Sequence, residues 1–419
     1  MVKLISTEHA RKALFIVSST AQAEMFKPIS EKLPDWNIIA INTDNRRKRE
    51  EIEAVLERLN FPNKTISSVK SGTIKDILNG EKPDIIVVGH DRSPMDRLFI
   101  KCANSMGIPT LLVQDGILAA SRVKTRETGN LVISLRYFST LPYRAFSFML
   151  DGNYSWYQKI KIGMINLKLR GKPGIYGHGE CQKMALFGNA VKKMFISEGI
   201  DPKRIVLTGN PKFDQVYYSK NGNSKQLVCK KWNIPVDKEI IILLTQYFVE
   251  AKIWSSEQRR SFVTAIANAT AALPNTQLII KLHPPHENEE DYNEIIRNLP
   301  IDPIVCKYAP LPELLNACSL AITVSSTAAL EAMVLGKPIV IVDLFDVEGG
   351  ASFYKGSGSL YVENELEILP ALKKALYDPQ TRKNMKKSMD EFVREQAYLQ
   401  DGRASERISD LVRDMASCK

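Results

Sequence analysis

Short apolar runs alternate with amphipathic stretches along the first part of the chain. The amphipathic stretches, for example Arg49–Leu59 and Met95–Met106, have apolar residues at helical spacing. The apolar runs are rich in Val, Ile and Leu and end at polar loops; they are Ala13–Val17, Ile38–Ile41, Asp84–Val88 and Thr110–Val113. Apolar strands that alternate with helices are typical of a parallel sheet covered by helices on both faces. The pattern therefore predicts an α/β fold.

A second series of the same kind follows later in the chain. The alternation breaks at residues 121–175, resumes near Lys183 and gives a strand at Ile205–Thr208. After the polar stretch Lys220–Lys225, the predicted strands are Ile240–Leu244, Gln277–Lys281, Leu320–Val324 and Ile339–Val342, and the closing helical segments are Glu365–Leu376 and Thr381–Met415. Two parallel α/β halves joined by a polar linker predict a two-domain enzyme with its site in the cleft between the domains.

Composition narrows the class of protein. Of 419 residues, 44% are hydrophobic and 25% are charged, as in globular proteins with a sizeable core. No stretch approaches twenty uncharged apolar residues, and the first residues lack the pattern of a secretory signal, so we expect a cytoplasmic protein. The six cysteines occur singly, which indicates reduced thiols, and five histidines are too few for a His-rich metal cluster.

The net charge of +10 is concentrated in one segment. Residues 121–175 contain ten Lys and Arg against two acidic residues, interleaved with eight aromatic residues. This combination suits an anionic membrane surface or a nucleic acid. The alternative is a solvated insertion whose aromatic side chains pack on the body of the protein.

A hydroxyl cluster follows the predicted strand Leu320–Val324. Ser325, Ser326 and Thr327 are favoured at helix N-termini, and the helix that follows should end near Gly336. A helix N-terminus attracts phosphate, and Glu331 lies about one turn further along the same helix face. We expect the hydroxyls to hold a phosphate and the carboxylate to accept hydrogen bonds from a ribose. An ordinary capped helix with an exposed Glu is the alternative.

Two further segments carry candidate ligands for a phosphate or a nucleoside. His283 follows a buried strand and precedes two prolines, which prevent the strand from continuing. Gly209, Asn210 and Lys212 follow the strand at Ile205–Thr208; the glycine permits close backbone approach and the lysine is a phosphate ligand. A structural histidine and a tight turn are the respective alternatives.

Two carboxylates follow strands of the first half and are candidate catalytic bases. Asp115 lies in Val-Gln-Asp-Gly and Asp91 in Gly-His-Asp-Arg. Ligands bind beyond the carboxyl ends of parallel strands, where a carboxylate can remove a proton from an attacking hydroxyl. Asp-Gly is also a common turn pair. His178, in a glycine-flanked loop, is either a second acid–base group or a turn residue.

These motifs, in this order, resemble the GT-B glycosyltransferase superfamily. They are Val-Gly-His-Asp at 88–91, Val-Gln-Asp-Gly at 113–116, Leu-Thr-Gly-Asn-Pro-Lys-Phe-Asp at 207–214, Leu-His-Pro at 282–284 and Ser-Ser-Thr-Ala-Ala-Leu-Glu-Ala at 325–332. The chain is similar to UDP-N-acetylglucosamine 2-epimerases and to transferases that build surface polysaccharides, among them Kdo transferases, bacterial sialyltransferases and teichoic-acid glycerophosphotransferases.

The resemblance implies two Rossmann-like α/β domains that face each other across a cleft. It places the acceptor-side domain at 1–215, with the insertion 121–175, the nucleotide-sugar domain at 216–398, and a terminal helix at 399–419 that crosses back to the first domain. His283 and Ser325 to Thr327 would contact the diphosphate or nucleoside, Glu331 the ribose, and Asp115 would be the base of an inverting transferase. Such enzymes generally need no metal, and the donor would be a UDP- or CMP-linked sugar.

Departures from the epimerase pattern favour a transferase. Epimerases carry Ser-Gly-Gly with paired glutamates where this chain has Ser-Ser-Thr and a single Glu331, and their Thr-Glu-Arg-Pro-Glu is absent at 343–350. Their catalytic glutamate is matched only by the shorter Asp115. We therefore predict an inverting glycosyltransferase acting on a cell-envelope polysaccharide or a lipid-linked acceptor, with 121–175 docking on the inner face of the membrane. A sugar-nucleotide epimerase is the first alternative, and a nucleic-acid-binding module the last.

Overall fold

A computed structural model of the chain describes residues 10–43, 49–66, 74–91, 93–116, 176–220, 222–284, 286–347 and 351–417. The predictions made for 121–175 lie outside these residues. Within them the strands are β1 (Lys12–Val17), β2 (Asn37–Asn42), β3 (Asn63–Thr65), β4 (Ile85–Val88), β5 (Thr110–Val113), β6 (Lys183–Leu186), β7 (Ile205–Leu207), β8 (Glu239–Leu244), β9 (Thr276–Lys281), β10 (Ile304–Cys306), β11 (Leu320–Thr323), β12 (Ile339–Val342) and β13 (Leu360–Val362).

The helices lie between these strands and after the last of them. They are α1 (Thr20–Glu31), α2 (Arg49–Arg58), α3 (Ile74–Glu81), α4 (Pro94–Ser105), α5 (Asn189–Ser197), α6 (Pro211–Ser219), α7 (Ser224–Trp232), α8 (Ser256–Ala271), α9 (Glu289–Ile296), α10 (Leu311–Ala317), α11 (Ala328–Val334), α12 (Glu365–Tyr377), α13 (Pro379–Gln396) and α14 (Ala404–Ser417). Short 3₁₀ turns occupy Pro202–Arg204 and Ala351–Tyr354.

The described residues form two compact units. Unit 1 comprises residues 10–115, 176–212 and 403–417, and unit 2 comprises Gly116 and residues 213–402. The change from unit 1 to unit 2 falls between Lys212 and Phe213, inside α6, and precedes the polar stretch at Lys220–Lys225. Lys225 itself lies in α7, so part of that stretch is helical.

Unit 1 is built on a parallel sheet of seven strands in the order β3-β2-β1-β4-β5-β6-β7. The rings of Phe26 and Phe61 pack edge-on against Phe15 of β1, at centroid distances of 5.1 and 5.9 Å. The same buried cluster includes Ile408 and Val412 of α14. The C-terminal helix therefore belongs to the core of unit 1.

Unit 2 is built on a parallel sheet of six strands in the order β10-β9-β8-β11-β12-β13. Its central strands are apolar and buried on both faces, as their sequence predicts. Helix α8 begins with a capping box, in which Ser255 and Gln258 satisfy each other's backbone N–H groups. The predicted fold class, two Rossmann-like α/β domains, is confirmed.

One predicted element is wrong. The helical segment predicted over Thr381–Met415 is two helices, α13 and α14, separated between Gln396 and Ala404. Leu399 and Gly402 in this connection have φ angles of 30° and 73°, which an α-helix cannot contain. Among the described residues, no helix is long and apolar enough to cross a membrane.

Candidate active site

Polar side chains at the carboxyl edge of the unit 1 sheet form a chain of close polar contacts. Gln22 of α1 donates from Nε2 to Asp115 Oδ2 over 2.9 Å. Gln22 Oε1 accepts from the N–H of Ser18 at 2.8 Å and from its hydroxyl at 3.1 Å. Ser18 Oγ lies 3.4 Å from His90 Nε2, and His90 Nδ1 lies 2.7 Å from Asp96 Oδ2. The chain thus joins the loops after β1, β4 and β5.

Asp115 and Asp91 occupy different environments at this edge. Asp115 is partly exposed, whereas Asp91 has no exposed surface. The two carboxylate oxygens of Asp91 accept the N–H groups of Gly177 and Gly179, the first at 2.9 Å. Burial raises the pKa of the Asp91 carboxyl, although these hydrogen bonds act to lower it. The catalytic role predicted for Asp91 stays a prediction, and its contacts are those of an anchor for the loop at 176–180.

The three residues predicted after β7 lie in unit 1. Gly209 has a φ of 81°, in the region that favours glycine. Asn210 is buried; its Nδ2 donates to the carbonyl of Gln114 at 3.2 Å and its Oδ1 accepts the N–H of Lys212 at 2.9 Å. The segment is therefore tied to the end of β5, next to Asp115.

His178 lies in the loop that wraps around Asp91. Its Nε2 is 3.6 Å from Glu198 Oε2, next to the C-terminal end of α5. The sequence left its role open between an acid–base group and a turn residue, and this contact with Glu198 favours the structural role.

A second group of polar residues lies at the carboxyl edge of the unit 2 sheet. Gln246, after β8, donates from Nε2 to Ser325 Oγ at 2.7 Å and accepts the N–H of Ser325 through Oε1 at 2.9 Å. Ser325 Oγ accepts this bond, and its hydroxyl hydrogen is not used in it.

The helix after Ser325 is short and begins where the sequence predicts. Helix α11 spans seven residues, and Ser326 Oγ accepts the N–H of Ala328 at 3.2 Å, whereas the side chain of Thr327 makes no capping bond. Glu331 is partly buried, and burial of the Tyr354 ring, together with the nearby charge of Glu331, raises the pKa of the Tyr354 phenol. Tyr354 donates to the carbonyl of Ser326 at 2.6 Å, which fixes the start of the helix.

A buried carboxylate organises the loop that carries His283. Glu287 accepts the N–H of His283 at 2.7 Å and the hydroxyls of Thr245 and Tyr292. It is 1% exposed, and burial raises its pKa against the effect of these hydrogen bonds. The loops after β8 and β9 are thereby held together.

Three rings cluster at the same edge. Tyr247 lies 4.9 Å from His283 and 4.6 Å from His286 between ring centroids, and the two imidazoles stack at 5.9 Å. Tyr247 is 40% exposed. Rings of this kind pack against flat ligands such as nucleobases. Through Gln246 and Tyr247, the loop after β8 connects the predicted residues Ser325 and His283.

From the sequence, Gln22 is recognisable only as part of a loop after a predicted strand and has no assigned role, and Gln246 and Glu287 were missed. Both glutamines lie within a few residues of a strand end, and this position is the one sequence signal for them. The signal is weak because glutamine is common in loops. Glu287 stands in an acidic run with Glu289 and Glu290, both exposed, so composition does not single it out. Among the described residues, no three His, Cys, Asp or Glu side chains cluster as ligands for a metal ion.

Comparisons with known proteins agree with this architecture. The sequence profile of the UDP-N-acetylglucosamine 2-epimerase family matches residues 186–413. No curated protein is significantly similar in sequence.

Several solved structures have the same fold. The UDP-GlcNAc 2-epimerase from Neisseria meningitidis, bound to UDP-GlcNAc, is 14% identical with a TM-score of 0.58, and the match covers 96% of this chain and 100% of that one. The wall teichoic acid polymerase TagF is 13% identical with a TM-score of 0.59, over 98% and 89% of the two chains. HepE of Anabaena, in complex with UDP and glucose, is 13% identical with a TM-score of 0.55, over 96% and 99%.

At these identities, structural likeness shows the fold alone, and the fold is shared by epimerases and transferases. The predicted resemblance to the GT-B superfamily, including its epimerase branch, is confirmed. The protein is thus a sugar-nucleotide enzyme of this superfamily. Since the matched profile covers more than half of the sequence, the chain belongs to the UDP-N-acetylglucosamine 2-epimerase family.

Proposed function

We propose that this protein is an inverting glycosyltransferase. It would move a sugar from a UDP- or CMP-linked donor to a hydroxyl group of a cell-envelope polysaccharide or a lipid-linked acceptor. The basic and aromatic composition of 121–175 supports an acceptor at an anionic membrane surface.

The observation on which the proposal rests is the environment of three carboxylates at the edge of unit 1. Asp91 and Asp96 are buried, and Asp115 is partly exposed. Transfer to a hydroxyl needs one base, whereas epimerisation needs a proton to be removed from and returned to a sugar carbon. Of these three carboxylates, Asp115 alone is more than marginally exposed, and a single exposed carboxylate supports transfer.

Residues of unit 2 suit the donor. The exposed face of Tyr247, backed by His283 and His286, offers a surface for a nucleobase. Ser325 has a hydrogen to donate to a phosphate oxygen, and we assign the ribose hydroxyls to Glu331. Of the residues of unit 1, we propose that Lys212, beside Gly209 and Asn210, supplies a positive charge to the donor phosphates.

The chemistry follows from these roles. Asp115 takes the proton of the acceptor hydroxyl. At the same time, the acceptor oxygen forms a bond to the anomeric carbon from the face opposite the nucleotide. The bond from that carbon to the phosphate oxygen breaks, and its electron pair leaves with the nucleotide. Hydrogen-bond donors such as Ser325 stabilise the departing charge without a metal ion.

A sugar-nucleotide epimerase is the second candidate, favoured by the family to which the chain belongs. It would act on a UDP-linked N-acetylhexosamine in the absence of any acceptor. The two candidates therefore differ in a product that can be measured directly.

The test begins with donor binding by the full chain. Thermal unfolding is measured with UDP- and CMP-linked sugars, for the wild type, for Glu331→Ala and for the control Glu367→Ala, whose side chain is exposed on α12. A ligand at a hundred times its Kd stabilises by about 2.7 kcal/mol, so the bound donor will raise the melting temperature. We expect the shift to shrink in Glu331→Ala alone; no shift with any nucleotide contradicts both candidates.

The donor found in this way is then incubated with and without envelope glycans. We expect sugar transfer that falls by about a hundredfold or more in Asp115→Asn, since an amide cannot accept the proton, and that partly returns in Asp115→Glu. Full transfer activity in Asp115→Asn would exclude Asp115 as the base. An epimerised sugar formed without acceptor would favour the second candidate.

A further inference from the structure

We propose that Gln22 is a positioning residue for Asp115, and that Ser18, His90 and Asp96 hold Gln22 in the orientation this requires. The catalytic meaning of the proposal rests on the proposed function of Asp115. The contacts that carry it belong to unit 1 alone and do not depend on the substrate.

The orientation of the Gln22 amide is determined by its neighbours. The side chain is 1% exposed, so water does not compete for its hydrogen bonds. The backbone N–H of Ser18 can only donate, so the atom that faces it at 2.8 Å must be the amide oxygen. The NH₂ group then faces Asp115 Oδ2 at 2.9 Å.

Asp115 is fixed from two sides. Gln22 binds Oδ2, and the backbone N–H of Asp115 donates to the hydroxyl of Tyr176 at 3.2 Å. Tyr176 in turn donates to the carbonyl of Gly89 at 2.6 Å. Oδ2 and the backbone N–H of Asp115 are therefore held before substrate arrives, which leaves Oδ1 as the oxygen that takes the proton; such preorganisation is what a general base requires.

The remaining residues of the chain support Gln22. Ser18 Oγ carries one hydrogen, and its partners are Gln22 Oε1 and His90 Nε2. When the hydroxyl donates to Gln22, Ser18 Oγ accepts from His90 Nε2, while His90 Nδ1 faces Asp96 Oδ2 at 2.7 Å. Gln22 Oε1 then accepts two hydrogen bonds, from the N–H and the hydroxyl of Ser18.

Gly89 leaves the space that Gln22 occupies. A Cβ atom at this position would lie 2.6 Å from Gln22 Nε2 and 2.7 Å from Cδ and Cγ. Because the backbone of Gly89 has no positive φ, an alanine here would act through the displaced amide and not through backbone strain. Gly89→Ala therefore displaces the amide that binds Asp115.

Two substitutions test the proposal, each with a matched control. Gln22→Glu keeps the shape of the side chain but places a carboxylate against Asp115, and Gly89→Ala displaces the amide. The controls are Asn42→Asp, an equally buried amide whose Nδ2 donates to the carbonyl of Arg49, and Gly80→Ala, where a Cβ has nothing within 4 Å.

The expected results concern the titration of Asp115. Two carboxylates at this distance hold one proton between them, so in Gln22→Glu the acid limb of the kcat/KM profile should move up by about one pH unit or more. The described titratable groups on neighbouring elements include Tyr176, His90, Asp91, Asp96, Arg97 and Lys212, and none is changed in either variant. Both variants should lower kcat about tenfold with KM for the acceptor nearly constant, whereas the controls should leave kcat and the profile unchanged.

A readout independent of activity separates the two proposals. In chain labelled with [¹³C]aspartate, the Asp115 carboxyl resonance is assigned by its loss in Asp115→Asn, and its pH titration is followed in each variant. A titration raised in Gln22→Glu but not in Asn42→Asp supports the positioning role even if no transfer is found, in which case the proposed function fails alone. Thermal unfolding first shows that each variant is folded. If Asp115 then titrates identically in the wild type, in Gln22→Glu and in Gly89→Ala, the inference is overturned.

Discussion

Glu287 is a carboxylate that its surroundings favour in the neutral form. Burial raises its pKa above the ordinary value of 4.5, and the hydrogen bonds from Thr245, Tyr292 and the His283 N–H only partly offset this. A group with a raised folded pKa binds protons more tightly in the folded state. The free energy of unfolding that it contributes therefore decreases as pH rises from about the unfolded pKa through the folded one.

Glu287→Gln removes this dependence. The wild type should be most stable relative to the variant in mild acid and should lose that advantage towards neutral pH, by about 1.4 kcal/mol for each unit of raised pKa. Urea unfolding of both proteins between about pH 4.5 and pH 8 measures the difference. A difference that instead grows with pH would mean that the hydrogen bonds outweigh burial.

Sequence predicted the residues at strand ends better than their partners. Ser325, His283 and Asp115 are recognisable because each follows an apolar run and belongs to a motif. The hydrogen bonds from Gln22 to Asp115 and from Gln246 to Ser325 form only when the sheet brings separate loops together, over 93 and 79 positions of sequence. Sequence patterns are local, whereas such hydrogen bonds depend on tertiary structure.

At the scale of elements, the loop between the 3₁₀ turn Ala351–Tyr354 and β13 packs tightly against α13. A Cβ at Gly358 would lie 2.6 Å from Ser388 Cβ and 2.8 Å from Met389 N, and φ is 90°. Only a glycine allows both the conformation and the close approach.

Gly358→Ala should destabilise unit 2 by about 2–4 kcal/mol, because it combines overpacking with left-handed backbone strain. Gly356→Ala is the matched control, since its φ is 81° but a Cβ there has nothing within 4 Å. It should cost about 1 kcal/mol. Denaturant unfolding compares the two, and equal losses would show that contact with α13 is unimportant.

The longer elements were predictable because burial of both faces leaves a continuous apolar signature. Strands β1, β2, β4, β5 and β8 begin and end within about two residues of their predicted bounds. Strand β3, Asn63–Thr65, has no such signature, since it pairs with β2 at the edge of the sheet and is mostly polar. The periodicity missed the break between α13 and α14 because the connection between Gln396 and Ala404 contains no proline.

At the scale of the whole molecule, unit 1 is assembled from separate stretches of chain. Helix α14 packs on α1, and Ser409 Oγ donates to the carbonyl of Ile29 at 3.0 Å. Ile408 and Val412 have no exposed surface. Periodicity predicted a terminal helix, whereas its place beside the first domain followed only from family resemblance, because no local pattern records which core a helix joins.

Ile408→Ala should destabilise unit 1 by about 2–5 kcal/mol through the cavity it creates. Asp410→Ala, on the exposed face of the same helix and paired with Arg413 at 3.0 Å, should change stability by less than about 0.5 kcal/mol. Hydrogen exchange resolves the effect. In Ile408→Ala we expect faster exchange in β1 and β4 and an unchanged exchange rate in β8 and β11. Equal protection of β1 in both variants would contradict a core role for α14.

The placement of α14 also sets the order in which the chain matures during synthesis. Residues 213–402 of unit 2 leave the ribosome as one uninterrupted stretch and can fold as they emerge. Unit 1 is translated first but is completed only by residues 403–417, which follow its previous stretch, ending at Lys212, after nearly 200 residues. Until then the apolar side of α1 and its sheet is uncovered on the nascent chain. We expect chaperones to bind the N-terminal unit longest, although it is translated first.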